Sequence, residues 1–184
     1  MKKLLIAVSL LTITSASLFA QKAMTRTGKI TFDATTPTSP EKISGIDKQV
    51  ACAMDAKTGH IQFQSQIKDF KFEKALMEDH FNENYMESKN FPKASFDGNI
   101  TNIADVNLSK DGTYTATATG KLDIHGTTNP VTTTGTIKVS GGKITVIAKF
   151  SVKLADYKIV IPTVVADKIA KEATISLDAE LIQK

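Results

Sequence analysis

From His60 to Lys68 the chain alternates without a break. Ile61, Phe63, Ser65 and Ile67 fall on one side, and His60, Gln62, Gln64, Gln66 and Lys68 on the other. A period of two sends successive side chains to opposite faces of a strand, so this segment has one dry face and one wet face. Such a segment belongs in an antiparallel sheet with one solvated side. Lys57-Thr58-Gly59 just before it predicts a hairpin turn from a preceding strand around Val50 to Met54.

The same grammar runs through the second half. After the turn signal Asp111-Gly112, Tyr114, Ala116, Ala118, Leu122 and Ile124 oppose Thr113, Thr115, Thr117, Thr119, Lys121 and Asp123. Gly126 to Pro130 predicts a further turn, and Val131 to Val139 returns with threonine at alternate positions. Gly141-Gly142 leads into Ile144, Val146, Ala148, Phe150, Val152 and Leu154 on one face. Thr174 to Ile182 places Ile175, Leu177, Ala179 and Leu181 inward, and Gly28 to Ala34 and Ser95 to Ile103 complete the set. About eight strands at this spacing make an all-β barrel or sandwich, in one domain without repeats or linkers.

One segment departs from this rhythm. Lys74 to Met86 carries Leu76, Met77, Phe81 and Tyr85 at helical spacing, which predicts a helix over 74–86 that ends before Pro92. A weaker helical pattern covers Val164 to Lys171.

The first 20 residues have the layout of a secretory leader. Lys2 and Lys3 precede an apolar run from Leu4 to Leu11, and small and hydroxyl residues follow up to Ala16 and Ala20. The expected mature domain is therefore residues 21–184, periplasmic or secreted. Without the two leader lysines, 21 basic residues face 19 acidic ones, a net charge of +2. Those charges are scattered rather than striped, which argues against nucleic acid as a partner. Cys52 is the only cysteine, so no intramolecular disulfide can form; it sits at strand spacing between Val50 and Met54, as a small buried residue would.

Catalytic and metal patterns are lacking. His60, His80 and His125 are far apart and lack ligand spacing, and no HExxH or CxxC occurs, so no metal and no cofactor is expected. Ser39-Pro40-Glu41-Lys42 and Lys57-Thr58-Gly59 imitate two elements of a penicillin-binding site, but they lie too close together and the Ser-Asp-Asn element is missing. The acid pair Glu78 and Asp79 falls on the wet side of the helix. The chain is not expected to be an enzyme.

Three stretches, in order, resemble the YceI-like family of exported lipocalin-like barrels. The first is Ala75-Leu76-Met77-Glu78-Asp79-His80-Phe81 with Asn90-Phe91-Pro92-Lys93-Ala94-Ser95-Phe96. The second is Gly120-Lys121-Leu122-Asp123-Ile124-His125-Gly126-Thr127-Thr128-Asn129-Pro130-Val131. The third is Phe150-Ser151-Val152 with Asp156-Tyr157-Lys158-Ile159. The opening strands match less well, and the tryptophan common in the family is missing. The resemblance implies a single antiparallel barrel of about eight strands with an inserted helix. It also implies binding of a polyisoprenoid or another long-chain amphiphile.

The inward rows suit that ligand. Ile61, Phe63 and Ile67, Phe96 and Ile100, Leu122 and Ile124, and Val146, Phe150 and Val152 are apolar, and the helix adds Leu76 and Phe81. Ser65, Gly98, Ala116, Ala118 and Ala148 are small enough to leave room among them. His80, Asn84 and Tyr85 are the candidates to meet a head group. From the residues alone, a hollow lumen and a filled core acting through a protein partner both stand. Transient membrane contact is compatible with the lipid reading, and monomer and dimer are both open. Intact-mass measurement of exported protein should show a new N-terminus near Gln21. Full-length chain retained in the membrane would overturn the leader assignment.

Overall fold

The computed structural model describes residues 22–183, so the expected leader lies outside the described residues. Nine strands form one antiparallel sheet: β1 (Lys22–Thr35), β2 (Ser44–Asp55), β3 (His60–Gln66), β4 (Lys71–Phe72), β5 (Lys93–Ile100), β6 (Gly112–Ile124), β7 (Thr127–Ser140), β8 (Lys143–Lys153) and β9 (Ile169–Gln183). The order is β1-β9-β8-β7-β6-β5-β3-β2, and β1 also pairs with β2, so eight strands close into a barrel while two-residue β4 adds to β2. Closure removes the free edges that an open sheet would present.

Alternation decides which residues face inward. Ile144, Val146, Val152, Leu177, Ala179 and Leu181 are all buried on β8 and β9. The threonines of β6 and β7 meet on the outside, with Thr119 and Thr132 hydroxyls 3.0 Å apart. Gln62 and His60 of β3 bond Asp97 of β5, and these hydrogen bonds hold its carboxyl below the usual carboxylate range.

The barrel has two different ends. One carries the β2–β3 and β7–β8 hairpins, the 101–111 connection and the start of β1. There Val50, Met54, Ile144 and Leu181 are fully buried, and Val106 and Ile103 of the connection pack beneath them. The other end carries the connections 36–43, 67–92 and 154–168 and the β6–β7 hairpin. A second cluster lies there, including Ile67, Phe70, Phe81, Leu154, Tyr157 and Ile159.

Three expectations are corrected. The β6–β7 turn is His125-Gly126, both at positive φ (53° and 67°), and Pro130 stands within β7 opposite Lys121. Two residues in the left-handed region match the twist of a two-residue hairpin, so the turn is tighter than the Gly126–Pro130 span. Val164 to Lys171 is not a helix: a 3₁₀ turn over Thr163–Val165 gives way to β9 at Ile169. Pairing of Ile169 with Thr35 and Glu172 with Lys153 outweighs a weak local preference. Gly98 leaves no lumen space, because the Phe96 ring lies over it and over its cross-strand partner Gly120; a Cβ at Gly98 would come within 2.6 Å of that ring.

Cys52 is buried at the packed end, and burial pushes its thiol up to about 12. A thiol-specific reagent at mildly alkaline pH should modify Cys52 only after denaturant unfolds the chain. The unfolded thiol ionises first, so raising the pH from its ordinary 9.0 towards about 12 should lower stability progressively. Rapid modification of the native protein would show that this end is not packed.

Candidate functional site

The half of the barrel away from the packed end is hollow. A cavity of about 150 Å³ is bordered by Ile61, Ile100 and Ile137 of the packed-end cluster and by Phe81, Tyr157 and Ile159 at the other end. Its wall draws on residues of both clusters and nearly all of the barrel strands, so the space is long and narrow rather than round. Apolar side chains dominate; the polar side chains on this wall include Ser65, Thr133 and Tyr157.

The cover is the helical segment. An α-helix, α1 (Ala75–His80), continues into a π-helical stretch over Phe81–Tyr85. The Met86 amide reaches back to the Phe81 carbonyl at 2.9 Å, five residues earlier. That wide turn brings both Phe81 and Met86 down onto the barrel, where both are buried. Phe81 stacks at tilted angles on Phe72, Phe70 and Phe32, with centroids 4.9, 5.5 and 5.6 Å away. Glu78 fastens the helix to β4, accepting from Lys71 Nζ at 2.6 Å, and Lys74 pairs with Glu41 of the 36–43 connection.

A second tether comes from the β6–β7 turn. The buried His125 places Nδ1 3.1 Å from the Tyr157 carbonyl, which can only accept, so Nδ1 carries the proton. Its Nε2 lies 3.3 Å from Glu87 Oε1, within ion-pair distance when the ring is charged but not aligned as a hydrogen bond. The Phe91 ring meets His125 edge-on and fills the space over Gly126. Burial pushes the Tyr157 phenol above its ordinary value.

Most of the candidate lumen residues share this wall. Ile61, Phe63, Ile67, Phe81, Phe96, Ile100, Leu122, Ile124, Val146, Phe150 and Val152 all border the cavity. Leu76 does not: it is 64% exposed. It precedes Phe81 by five residues in a regular turn, about 140° around the helix, so the two cannot face the same way. His80 and Asn84 are exposed, and half-buried Tyr85 packs against the lower cluster without reaching the cavity. The helix buries its Phe81 and Met86 face, and none of these three side chains borders the cavity. Sequence reasoning missed Ile30, Phe32, Phe70, Met86, Tyr157 and Ile159. The alternation of Ile30 and Phe32 was a usable signal; the other four sit in irregular connections with no period to read.

Among the described residues no group of three or more His, Cys, Asp or Glu could hold a metal ion. The fold and cavity together define a closed antiparallel barrel with an apolar interior and a helical cover. The chain belongs to the YceI-like domain family, whose model matches residues 13–181. A polyisoprenoid binding domain from Saccharophagus degradans implicated in plant cell wall breakdown is similar in structure, with a TM-score of 0.77 at 14% identity over 90% of this chain and 99% of that one. BcnA of Burkholderia cenocepacia gives 0.67 at 18% identity, covering 84% and 95%. A YceI protein of Campylobacter jejuni gives 0.61 at 15% identity, covering 79% and 87%. Among curated proteins none matches. At these identities the likeness is one of fold.

The two ends should respond differently to truncation. Leu181→Ala, in the packed end, should cost about 3 kcal/mol. Phe150→Ala should cost about half as much, because the Phe150 ring already borders empty space. Urea denaturation of both variants makes the comparison; equal losses would argue that the cavity half is packed as well.

Proposed function

We propose that this protein is an exported, non-catalytic carrier that holds the chain of a polyisoprenoid or similar long amphiphile in its barrel. The observation that carries this reading is the elongated apolar cavity between a packed end and a covered one. The structural relative that is a polyisoprenoid binding domain supports it. The leader pattern at residues 1–20 supports a periplasmic or secreted location.

Magnitudes say how such a ligand must sit. An apolar cavity of this size takes a ligand of roughly six carbons. At about 0.8 kcal/mol per methylene, six carbons gain about 5 kcal/mol. That barely offsets an association cost of roughly 4–15 kcal/mol. A longer chain gains more, but it must displace side chains at the covered end. Phe81 is the obstacle there, so loading requires the helical segment to lift. Leu76, Val160 and Val164, exposed on that same end, suit a brief contact with a membrane that supplies the lipid.

Native mass spectrometry of protein purified without detergent, followed by organic extraction, tests the reading. A co-purifying long-chain species that dissociates on unfolding is expected. Protein that is empty as isolated and takes up no chain amphiphile from vesicles would overturn it, and would favour a barrel acting through a protein partner.

A further inference from the structure

Among the described residues one carboxylate, that of an aspartate, is buried behind the inner wall. Asp47 of β2 is completely buried, and Ser65 of β3, also buried, lies between it and the cavity. Asp47 Oδ1 accepts from the Gln49 amide at 2.7 Å, where the β1–β2 register slips between Asp47 and Val50. Its Oδ2 accepts from the Ser65 hydroxyl at 2.5 Å, a length typical of a hydroxyl bonded to a carboxylate. The Gln49 contact accounts for an aspartate at a bulge. It does not account for the second bond, which reaches into a wall that is mostly apolar.

That bond fixes what Ser65 can offer. A serine hydroxyl has one proton and two lone pairs. Ser65 has committed its proton to Asp47, so it presents only lone pairs to the cavity. A ligand group beside it must donate. An ether, ester or carboxylate oxygen there would meet another acceptor, and a carboxylate would also meet the Asp47 charge across a low-dielectric space.

We propose that the Asp47–Ser65 pair is the polar anchor of the lumen, selecting chain ligands whose terminal group is a neutral hydrogen-bond donor such as a hydroxyl. This inference rests on the carrier reading and specifies its ligand class. Position fixes orientation as well. β3 runs from the packed end at His60 towards the covered end, so Ser65 lies about 13 Å along the strand from Ile61. A donor bonded to Ser65 leaves its chain running inwards towards Ile61 and Ile100, with the polar end just beneath the helical cover.

The test uses n-decanol, decyl methyl ether and decanoate, each titrated into the mature protein against a displaceable fluorescent fatty-chain probe. Wild type should bind n-decanol about tenfold more tightly than decyl methyl ether, the worth of one buried hydrogen bond, with decanoate weakest. Ser65→Ala should bring alcohol and ether to equal affinity, and Ser65→Thr should restore the preference. Asp47→Asn gives a sharper readout. The Gln49 amide needs the oxygen of the new side chain, so its amide nitrogen faces Ser65 and donates. The Ser65 proton is then free to point inwards, and the ether should gain on the alcohol. Equal wild-type affinities for alcohol and ether would overturn the anchor while leaving the carrier standing. A preference that persists in both Ser65→Ala and Asp47→Asn would overturn it equally. Failure to bind any of the three and the probe would sink the carrier reading itself.

Discussion

Strand β1 belongs to two neighbours at once, β2 on one side and β9 on the other, and this double pairing makes the rest of the molecule possible. With β1 in place every barrel strand has a partner on both sides, and the backbone groups are satisfied around the ring. The pairing is not uniform. Its register slips on both sides of Gly28, where a Cβ would come within 3.1 Å of the Val50 carbonyl. That irregularity is where Asp47 turns inward, so the closure that seals the barrel also delivers a carboxylate to its interior.

Closure by hydrogen bonds leaves side chains free to decide whether the interior is full. Near the packed end large apolar residues such as Ile144, Leu181 and Met54 are fully buried in one cluster. In the middle of the barrel, small residues Ala116, Ala118, Ala148 and Gly135 line the wall and leave the cavity between them. The space survives because β-sheet stability resides in ladders and cross-strand pairs as well as in the core. Phe81 with its three aromatic neighbours then supplies at the open end the contact that the core omits.

Alternation made much of this legible. Ile144 to Val152 and Ile175 to Leu181 face inward as a period of two demands, and the wall of the cavity follows from that rule. Legibility ended where geometry depends on a single irregular step. Leu76 and Phe81 read together as one apolar stretch, yet five residues of α-helix set them about 140° apart, and the π turn at Phe81 selects Met86 as its companion instead. The two-residue turn was hidden because His125, not a glycine, takes its first left-handed position. Ser65 looked like a small spacer. Its importance depends on a carboxylate 18 residues away, brought close by a register slip with no signature of its own.

The chain enters β1 beside the hairpins of the packed end, where Ala23 lies opposite Met54 and Gln183, and the helical cover sits at the opposite pole. A barrel held to a bilayer through whatever precedes Lys22 would therefore hang with its sealed base towards the lipid and its entrance towards water. Drawing cargo from that same bilayer requires the molecule to turn over, which a short tether forbids and a severed one permits. For the exported carrier proposed above, the polarity of the barrel would thus give cleavage of the leader a mechanical purpose as well as a topological one.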